Sequence, residues 1–278
     1  MTGFLIYEKE NVQRNMRFVE FFMEAAKQHH VNLKLVTVDQ LSFGTRDGMP
    51  FLEPEVPDFA VVRCMQPLLS AHLESMGVPV FNNAEISRIC NDKRLTHTFL
   101  TKHGLPTLPT AFVNAMMPRH PFAYPVVVKA AGGCGGRKVF LCESEQDYLE
   151  KLNFIFPDNA VVQPLCDSPG KDVRIYMLGG KPVQAMLRYS ENDFRSNFGL
   201  HGTARTTTPT QEMLAMCDKI AGLLHPALVG IDFIFHQGKT YINEIEDAVG
   251  TRMLYQYTDL QIVDMYMAYI LESIKKTS

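Results

Sequence analysis

The sequence has no excess of positive charge and no long apolar run, and each absence excludes a class of protein. Its formal net charge is −3, so a basic surface that attracts nucleic acid or an anionic membrane is not expected. No apolar stretch approaches the ~20 residues of a transmembrane helix, and the apolar run at the N-terminus is too short for a signal peptide. We therefore expect a cytoplasmic protein that binds neither nucleic acid nor a membrane.

Paired cysteine motifs and the two common nucleotide fingerprints are also missing. The six cysteines show no Cys-x-x-Cys pair and no spacing typical of a disulfide framework, which fits a reducing compartment. The nine histidines have no zinc-like arrangement. No glycine-rich Rossmann fingerprint follows the first predicted strand, and no glycine loop is followed by Lys-Ser/Thr as in a P-loop.

The first 85 residues alternate between strand and helix patterns. Strands are predicted over 4–7, 33–38, 58–63 and 78–81, with helices over 11–30 and 66–76. Such alternation favours a small parallel α/β sheet. We predict an N-terminal domain without a cofactor site of its own.

Two lysines and a glycine-rich segment predict contacts with an anion. Lys93 lies in the first turn of a helix predicted over 91–104, where the helix dipole disfavours a cation unless an anion is near. A solvated lysine is the alternative. Lys129 ends a buried-type strand that runs into Gly-Gly-Cys-Gly-Gly-Arg-Lys at 132–138. Backbone N–H groups of such a segment can approach phosphates closely, although a mobile hairpin turn is the other interpretation. Cys134 is either a redox switch or a bystander thiol.

A polar hairpin and an arginine-containing loop follow. Residues 172–178 and 182–189 alternate polar and apolar side chains, which predicts one polar and one buried face. The loop over 188–205 combines arginine with glycine, asparagine and histidine. Arginine grips phosphate and carboxylate oxygens bidentately, so this loop is a candidate for recognising both.

An acidic hairpin lies nearer the C-terminus. Asp232 shares a face with Glu244 and Glu246 only if the intervening loop is odd-numbered, and a three-residue loop over 237–239 would set Asp232 opposite Glu244. Clustered carboxylates suit a hard divalent cation such as Mg²⁺, which usually also holds phosphate oxygens. A solvated acidic face is the alternative.

The order of these features resembles the ATP-grasp ligases, and most closely the RimK-type carboxylate–amine ligases, over residues 86–276. The most specific part is Asp-Phe-Arg-Ser-Asn at 193–197, followed at the expected distance by Gly-Ile-Asp at 230–232. The resemblance implies an α/β (α+β) ATP-grasp fold behind an N-terminal Rossmann-like domain. The expected divisions are an N-terminal domain over 1–85, a central subdomain with the glycine flap over 86–165, and a C-terminal subdomain with the metal site over 166–278.

The same resemblance implies a site for ATP and Mg²⁺ or Mn²⁺. The residues expected to bind the nucleotide are Lys93 and Lys129 at the phosphates, Gly132, Gly133, Gly135 and Gly136 in the flap, Pro164 and Leu165 at the adenine, Asp172 at the ribose, and Arg195, Ser196 and Asn197. Arg188 and Arg195 are expected to stabilise charge during catalysis, and Asp232, Glu244 and Glu246 to bind the metal.

The chain departs from the family pattern at three places. Glu246 stands where the family usually has asparagine, which adds a negative charge that Arg252 or tighter metal binding would offset. Residues 248–252 read Ala-Val-Gly-Thr-Arg in place of the usual Ser-Pro-Gly segment, and the glycine flap differs in length.

The activity implied is an ATP-dependent carboxylate–amine ligase. A substrate carboxylate attacks the γ-phosphate, and an amine displaces phosphate from the acyl phosphate to give an amide or peptide bond. Small carboxylate and amine substrates, amino acids or peptides, are expected as partners, in a possible homo-oligomer. Alternatives are an ATP-grasp kinase, another acyl-phosphate-forming enzyme, or a non-catalytic MgATP-binding module. Replacing Asp232 with Asn or Glu244 with Gln is expected to abolish turnover and leave the fold intact.

Overall fold

The computed structural model describes residues 1–133, 138–196 and 203–277 of the chain. The first elements in chain order are β1 (Thr2–Tyr7), α1 (Lys9–Val12), α2 (Met16–Gln28), β2 (Asn32–Thr37), β3 (Ser42–Arg46), β4 (Met49–Glu53), β5 (Phe59–Val62), α3 (Pro67–Ser75) and β6 (Val80–Phe81). Four of these strands form a parallel sheet in the order β2-β1-β5-β6, so the small parallel sheet predicted from the sequence is confirmed.

The β3–β4 hairpin was not predicted. Its turn is Asp47-Gly48, and both residues have positive φ, at 53° and 78°. An Asp-Gly pair is a common hairpin turn, so a signal was present. The short flanking strands alternate too weakly to have been recognised.

A second sheet is built from the middle of the chain. Its elements are α4 (Ala84–Cys90), α5 (Lys93–Lys102), β7 (Ala111–Val113), β8 (Val126–Ala130), β9 (Val139–Cys142), α6 (Glu145–Ile155) and β10 (Ala160–Pro164), and the sheet order is β7-β10-β8-β9. The predicted helix with Lys93 in its first turn is α5, which Asp92 caps by accepting from the Arg94 N–H at 2.9 Å.

The third sheet has five antiparallel strands and is covered on both sides. The elements are β11 (Lys171–Leu178), β12 (Lys181–Tyr189), β13 (Thr203–Thr207), α7 (Gln211–Leu224), β14 (Leu228–His236), β15 (Lys239–Glu246), α8 (Arg252–Tyr257) and α9 (Ile262–Thr277), with sheet order β13-β12-β11-β14-β15. Apolar side chains of α4, α5 and α7 cover one face. Those of α2, α8 and α9 share a core with the other face.

The two faces of β11 differ from the sequence expectation. Val173 and Ile175 are buried as predicted, but Asp172 and Arg174 on the opposite face are also buried, at 4% and 6% exposure. Apolar side chains of the N-terminal sheet and of the C-terminal helices pack against this face, so its charged groups are little exposed. Sequence alternation shows which side chains share a face, but a partner from a distant part of the chain decides whether that face meets water.

The acidic hairpin reaches the predicted pairing by a different route. Asp232 does lie opposite Glu244. The loop, however, has two residues, Gln237 and Gly238, both with positive φ, and His236 pairs with Lys239. The sequence made the common face depend on a three-residue loop over 237–239, and that expectation is wrong. A bulge at Asn243 supplies the extra residue that restores the common face.

Asn82 links the N-terminal domain to the large sheet. Its side-chain amide donates to Leu228 O and Asp247 Oδ1, both at 2.8 Å, and its Oδ1 accepts from the Ala227 N–H at 2.8 Å. The proposed domain boundary at residue 85 stays a prediction. Within the part of the chain that the structure describes, no helix is both long and apolar enough to cross a membrane.

Candidate active site

A cavity of about 370 Å³, called the nucleotide cavity below, lies between the second sheet (β7-β10-β8-β9) and the five-stranded third sheet. Its lining includes every described residue that the sequence assigned to the site: Lys93, Lys129, Gly132, Gly133, Pro164, Leu165, Asp172, Arg188, Arg195, Ser196, Asp232, Glu244 and Glu246. Gly135, Gly136 and Asn197 lie outside the described residues, as does Cys134. Residues far apart in the chain thus converge on one cavity.

The two lysines reach into this cavity from different elements. Lys93 Nζ lies 3.2 Å from Glu244 Oε1 and donates to Gly133 O at 3.2 Å. Lys129 Nζ donates to Asn243 Oδ1 at 3.0 Å. The anion expected beside Lys93 is therefore present within the protein as Glu244. The bulged Asn243 turns the hairpin edge toward Lys129.

Four buried charges and the partly exposed Glu246 form a chain through the floor of the cavity, in the order Asp172, Arg188, Asp232, Arg174 and Glu246. Arg188 donates to Asp172 Oδ1 at 2.6 Å and to Asp232 Oδ2 at 2.6 Å. Arg174 donates to both oxygens of Asp232 at 2.7 Å and contacts Glu246 Oε2. Burial by itself would raise the pKa of Asp232, but the two guanidinium groups outweigh it and lower that pKa to about 2. Negative and positive side chains alternate along this chain, so each charge has an opposite charge beside it that offsets the cost of removing it from water.

Gly230 explains how Arg174 fits into this chain. A Cβ at position 230 would lie 3.2 Å from Arg174 Cδ and 2.7 Å from a methyl group of Val249. The glycine two residues before Asp232 therefore leaves the space that the arginine side chain occupies. Arg174 was not among the site residues predicted from the sequence, although a charged residue inside an otherwise buried-type strand was a usable signal.

The family model of the RimK-like ATP-grasp domain matches residues 90–270. The chain belongs to this family. The resemblance drawn from residues 86–276, and with it the expected ATP-grasp fold, is confirmed.

Relatives of this RimK-like chain agree with the match. The alpha-aminoadipate–LysW ligase LysX of Saccharolobus solfataricus is 27% identical over 181 residues, which cover 61% of this chain and 66% of that protein. The human N-acetylaspartylglutamate synthase A is 25% identical over 264 residues, or 86% of this chain and 68% of the other. The crystal structure of a RimK domain ATP-grasp protein from Sphaerobacter thermophilus superposes with a TM-score of 0.75 at 18% identity, covering 98% of this chain and 100% of that one. The matched segment thus spans just under two thirds of the LysW ligase.

ATP-grasp proteins use ATP with a divalent metal, and carboxylates are the usual ligands of such an ion. Among residues 1–133, 138–196 and 203–277, no three His, Cys, Asp or Glu side chains form a ready-made metal site. Glu244 and Glu246 are the open carboxylates, with 28% and 24% of their side chains exposed. Glu246 Oε2 is buried in an ion pair with Arg174 but has no aligned hydrogen-bond donor. Two such carboxylates fit an ion that also takes phosphate oxygens.

Asp232, unlike the two glutamates, has no oxygen left open for a metal ion. Both of its oxygens accept from Arg174 or Arg188, and its side chain is 4% exposed. It can bind an ion only if one guanidinium moves away. The three-acid metal site therefore stays a prediction, in which Glu244 and Glu246 are the ligands that this geometry leaves available.

Arg195 and Ser196 are positioned by an adjoining connection. Arg195 is held by Asp193, which accepts from its Nη2 at 2.7 Å. Gly170 packs against this segment: its N–H donates to Phe194 O at 2.7 Å, and a Cβ there would lie 2.6 Å from Asp193 O. The glycine, at φ 71°, permits the close approach that brings Arg195 to the cavity wall.

Lys129 provides a pH test of nucleotide binding. Burial lowers its pKa to about 8, although Glu244 opposes the shift. The affinity of the free protein for MgATP is therefore expected to fall above about pH 8, by up to about tenfold per pH unit, as the amine loses its proton. Calorimetric titration of MgATP from about pH 7 to 10 measures this, and Lys129→Arg is expected to flatten the slope because arginine stays protonated.

The exposed Lys181→Arg is the matched control for this experiment and should keep the wild-type slope. Equal slopes in the wild type and Lys129→Arg would contradict the assignment.

The lowered pKa of Lys129 also affects the stability of the fold. Between about 8 and the ordinary value of 10.5 the unfolded chain binds more protons at this lysine, so its contribution to stability rises with pH in that window.

Proposed function

We propose that this chain is an ATP-dependent carboxylate–amine ligase that forms an amide or peptide bond through an acyl phosphate. The observation that supports this most directly is the convergence of Lys93, Lys129, Glu244 and Glu246 on one cavity. Two cations and two open carboxylates are the groups needed to hold the phosphates of a nucleotide and its metal ion. Mg²⁺ is the proposed ion, with Mn²⁺ as the alternative.

The residues of the cavity have separable roles in this proposal. Lys93 and Lys129 neutralise phosphate oxygens, and the backbone at Pro164 and Leu165 borders the adenine. The metal ion, when bound by Glu244 and Glu246, withdraws charge from the phosphates. These roles rest on position in the cavity and on the family.

Arg188 and Arg195 are proposed to stabilise the charge that develops during acyl transfer. Arg188 is fixed by Asp172 and Asp232, so its orientation costs nothing at the moment of reaction. The carboxylate oxygen bonds to the γ-phosphorus while ADP leaves. The amine nitrogen then bonds to the acyl carbon, phosphate leaves, and the amine gives up a proton.

The proposed substrates are small amino acids or peptides. The relatives named above are a ligase for alpha-aminoadipate and a synthase of N-acetylaspartylglutamate. A cytoplasmic site of action is also proposed, since Cys64, Cys90, Cys142, Cys166 and Cys217 are free thiols. A homo-oligomer stays a prediction.

The test is release of ADP and phosphate from MgATP across a matrix of carboxylic acids, each with and without amines. Release that requires both an acid and an amine is the expected result. Release with an acid or an alcohol alone would instead support a kinase or another acyl-phosphate-forming enzyme. Binding of MgATP without release under any condition would leave a nucleotide-binding module and overturn the proposal.

A further inference from the structure

A second cavity, of about 540 Å³, adjoins the nucleotide cavity. The two share the lining residues Gly133, Arg174, Arg188, Glu244 and Glu246. The second cavity extends from this junction to the end of β1, the α1–α2 region and the segment over 247–256. Its volume is that of a small-molecule site. Where it meets the nucleotide cavity it is bordered by Glu244 and Glu246, the proposed metal ligands.

Two buried polar groups in its wall lack a well-aligned partner. The Tyr7 hydroxyl and the Arg63 Nε–H lie beside each other, but neither makes a well-aligned hydrogen bond among the described residues, and the two residues are 2% and 8% exposed. A buried donor without an acceptor costs about 1–3 kcal/mol. Such groups point to a ligand that supplies the acceptor.

Arg63 is fixed in place, and no described acid is paired with it directly. Its Nη2 donates to Val249 O at 2.7 Å, and its guanidinium carbon lies 4.4 Å from the centre of the Phe18 ring. Within the described chain no carboxylate lies at ion-pair distance from it. The carboxylate of Asp247 acts on Arg63 only from beyond that distance. A buried cation without a directly paired acid is costly, so this position favours an anionic ligand.

The mouth of the second cavity is also positively charged. Arg14, Arg17 and Arg252 line it, are exposed, and form no ion pair with any described carboxylate. The buried acid nearby, Asp247, accepts from Asn82 and Asn91, and burial raises its pKa. The whole described lining holds six arginines against four acids, Glu8, Glu244, Glu246 and Asp247. It therefore attracts anions more strongly than cations.

We propose that the second cavity binds the acid substrate of the ligase and selects a substrate with a second anionic group. The reacting carboxylate would lie at the junction beside Arg174 and Arg188. The distal carboxylate or phosphate would be held by Arg63 and Tyr7. This inference rests on the proposed ligase function, and it identifies Arg63 and Tyr7 as determinants of specificity contributed by the N-terminal domain.

The experiment compares acids that differ only in the distal group. Alpha,omega-dicarboxylates of increasing length, phosphorylated monocarboxylates and the omega-amides of the same dicarboxylates are supplied with MgATP and a mixture of amines. Wild-type kcat/KM is expected to favour the dianion over its amide by about 10- to 100-fold, the value of one or two charge-assisted hydrogen bonds. Comparing the dicarboxylate and phosphate series shows which distal anion is bound.

Arg63→Met is expected to reduce that preference to near unity, and Tyr7→Phe to reduce it by about five- to tenfold, the value of one hydrogen bond. Neither variant should change the Kd of MgATP. If Arg63→Met fails to fold, Arg63→Lys keeps the charge but loses the Nε–H donor, and Tyr7→Phe tests the same pocket. Arg46→Met, at an exposed arginine paired with Glu53, is the matched control.

The outcomes separate this inference from the proposed function. Wild-type turnover of omega-amides as fast as of dianions would overturn the inference and leave the ligase standing. Retention of the full preference in both Arg63→Met and Tyr7→Phe would do the same. No release of ADP with any acid would refute the ligase itself.

Discussion

Replacing Arg174 with methionine is expected to lower the free energy of unfolding by about 3–5 kcal/mol, the cost of leaving a buried charge unpaired. The guanidinium lies between Asp232 and Glu246, and 7% of its side chain is exposed. Without it Glu246 loses its cation and Asp232 keeps only Arg188. Equilibrium unfolding in urea measures the loss.

Two further variants show that the loss comes from the charge and not from packing. Arg174→Met combined with Glu246→Met is expected to be more stable than the sum of the single changes, by about 1 kcal/mol or more, since the double variant removes both halves of the pair. Arg88→Met is the matched surface control: Arg88 pairs with Glu85 in solvent and should lose about 1 kcal/mol or less. An Arg174→Met protein as stable as this control would refute the charge chain.

Replacing Glu244 with glutamine is expected to reduce turnover by at least about 10²–10³-fold, the usual effect of removing one group that stabilises transition-state charge. The fold should persist, because 28% of the Glu244 side chain is exposed and its ion pair with Lys93 lies at the cavity edge. Turnover and urea unfolding are measured on the same preparation. Mn²⁺ binding, followed by electron paramagnetic resonance with a non-hydrolysable ATP analogue, should weaken in parallel.

Glu143→Gln, at an exposed glutamate outside the cavity, is the control for this change. Wild-type turnover in Glu244→Gln would remove Glu244 from the metal site. Asp232→Asn does not provide an equally clean test. The sequence suggested that both variants would fold, but Asp232 accepts from Arg174 and Arg188, so its replacement disturbs the charge chain as well as any metal site.

Much of the site was accessible from the sequence because its residues occur in local patterns. Lys93 was identified from its position in a helix, Lys129 from its place at the end of a strand, and the acids from alternation in a hairpin. Local patterns of this kind depend on the backbone period, which the sequence carries directly. Arg63 was missed because no local pattern distinguishes an arginine that will be buried against a distant aromatic ring. Arg174 lies in a buried-type strand, which was a signal, but the strand pattern does not show which distant carboxylate it meets.

The amino-acid sequence by itself determined the parallel N-terminal sheet and the order of the ATP-grasp elements, whereas the pairing of Asp232 with Glu244 depends on a bulge at Asn243 that the sequence did not predict. Only the tertiary structure decided that the charged side chains of β11 are buried at the floor of a cavity. It also decided that Asp232 is held by two arginines while Glu244 and Glu246 stay partly exposed to the cavity. It also decided that Tyr7 and Arg63 line the second cavity. The physical reason is that burial and charge pairing depend on contacts between segments far apart in the chain, whereas strand and helix periods are set by neighbouring residues.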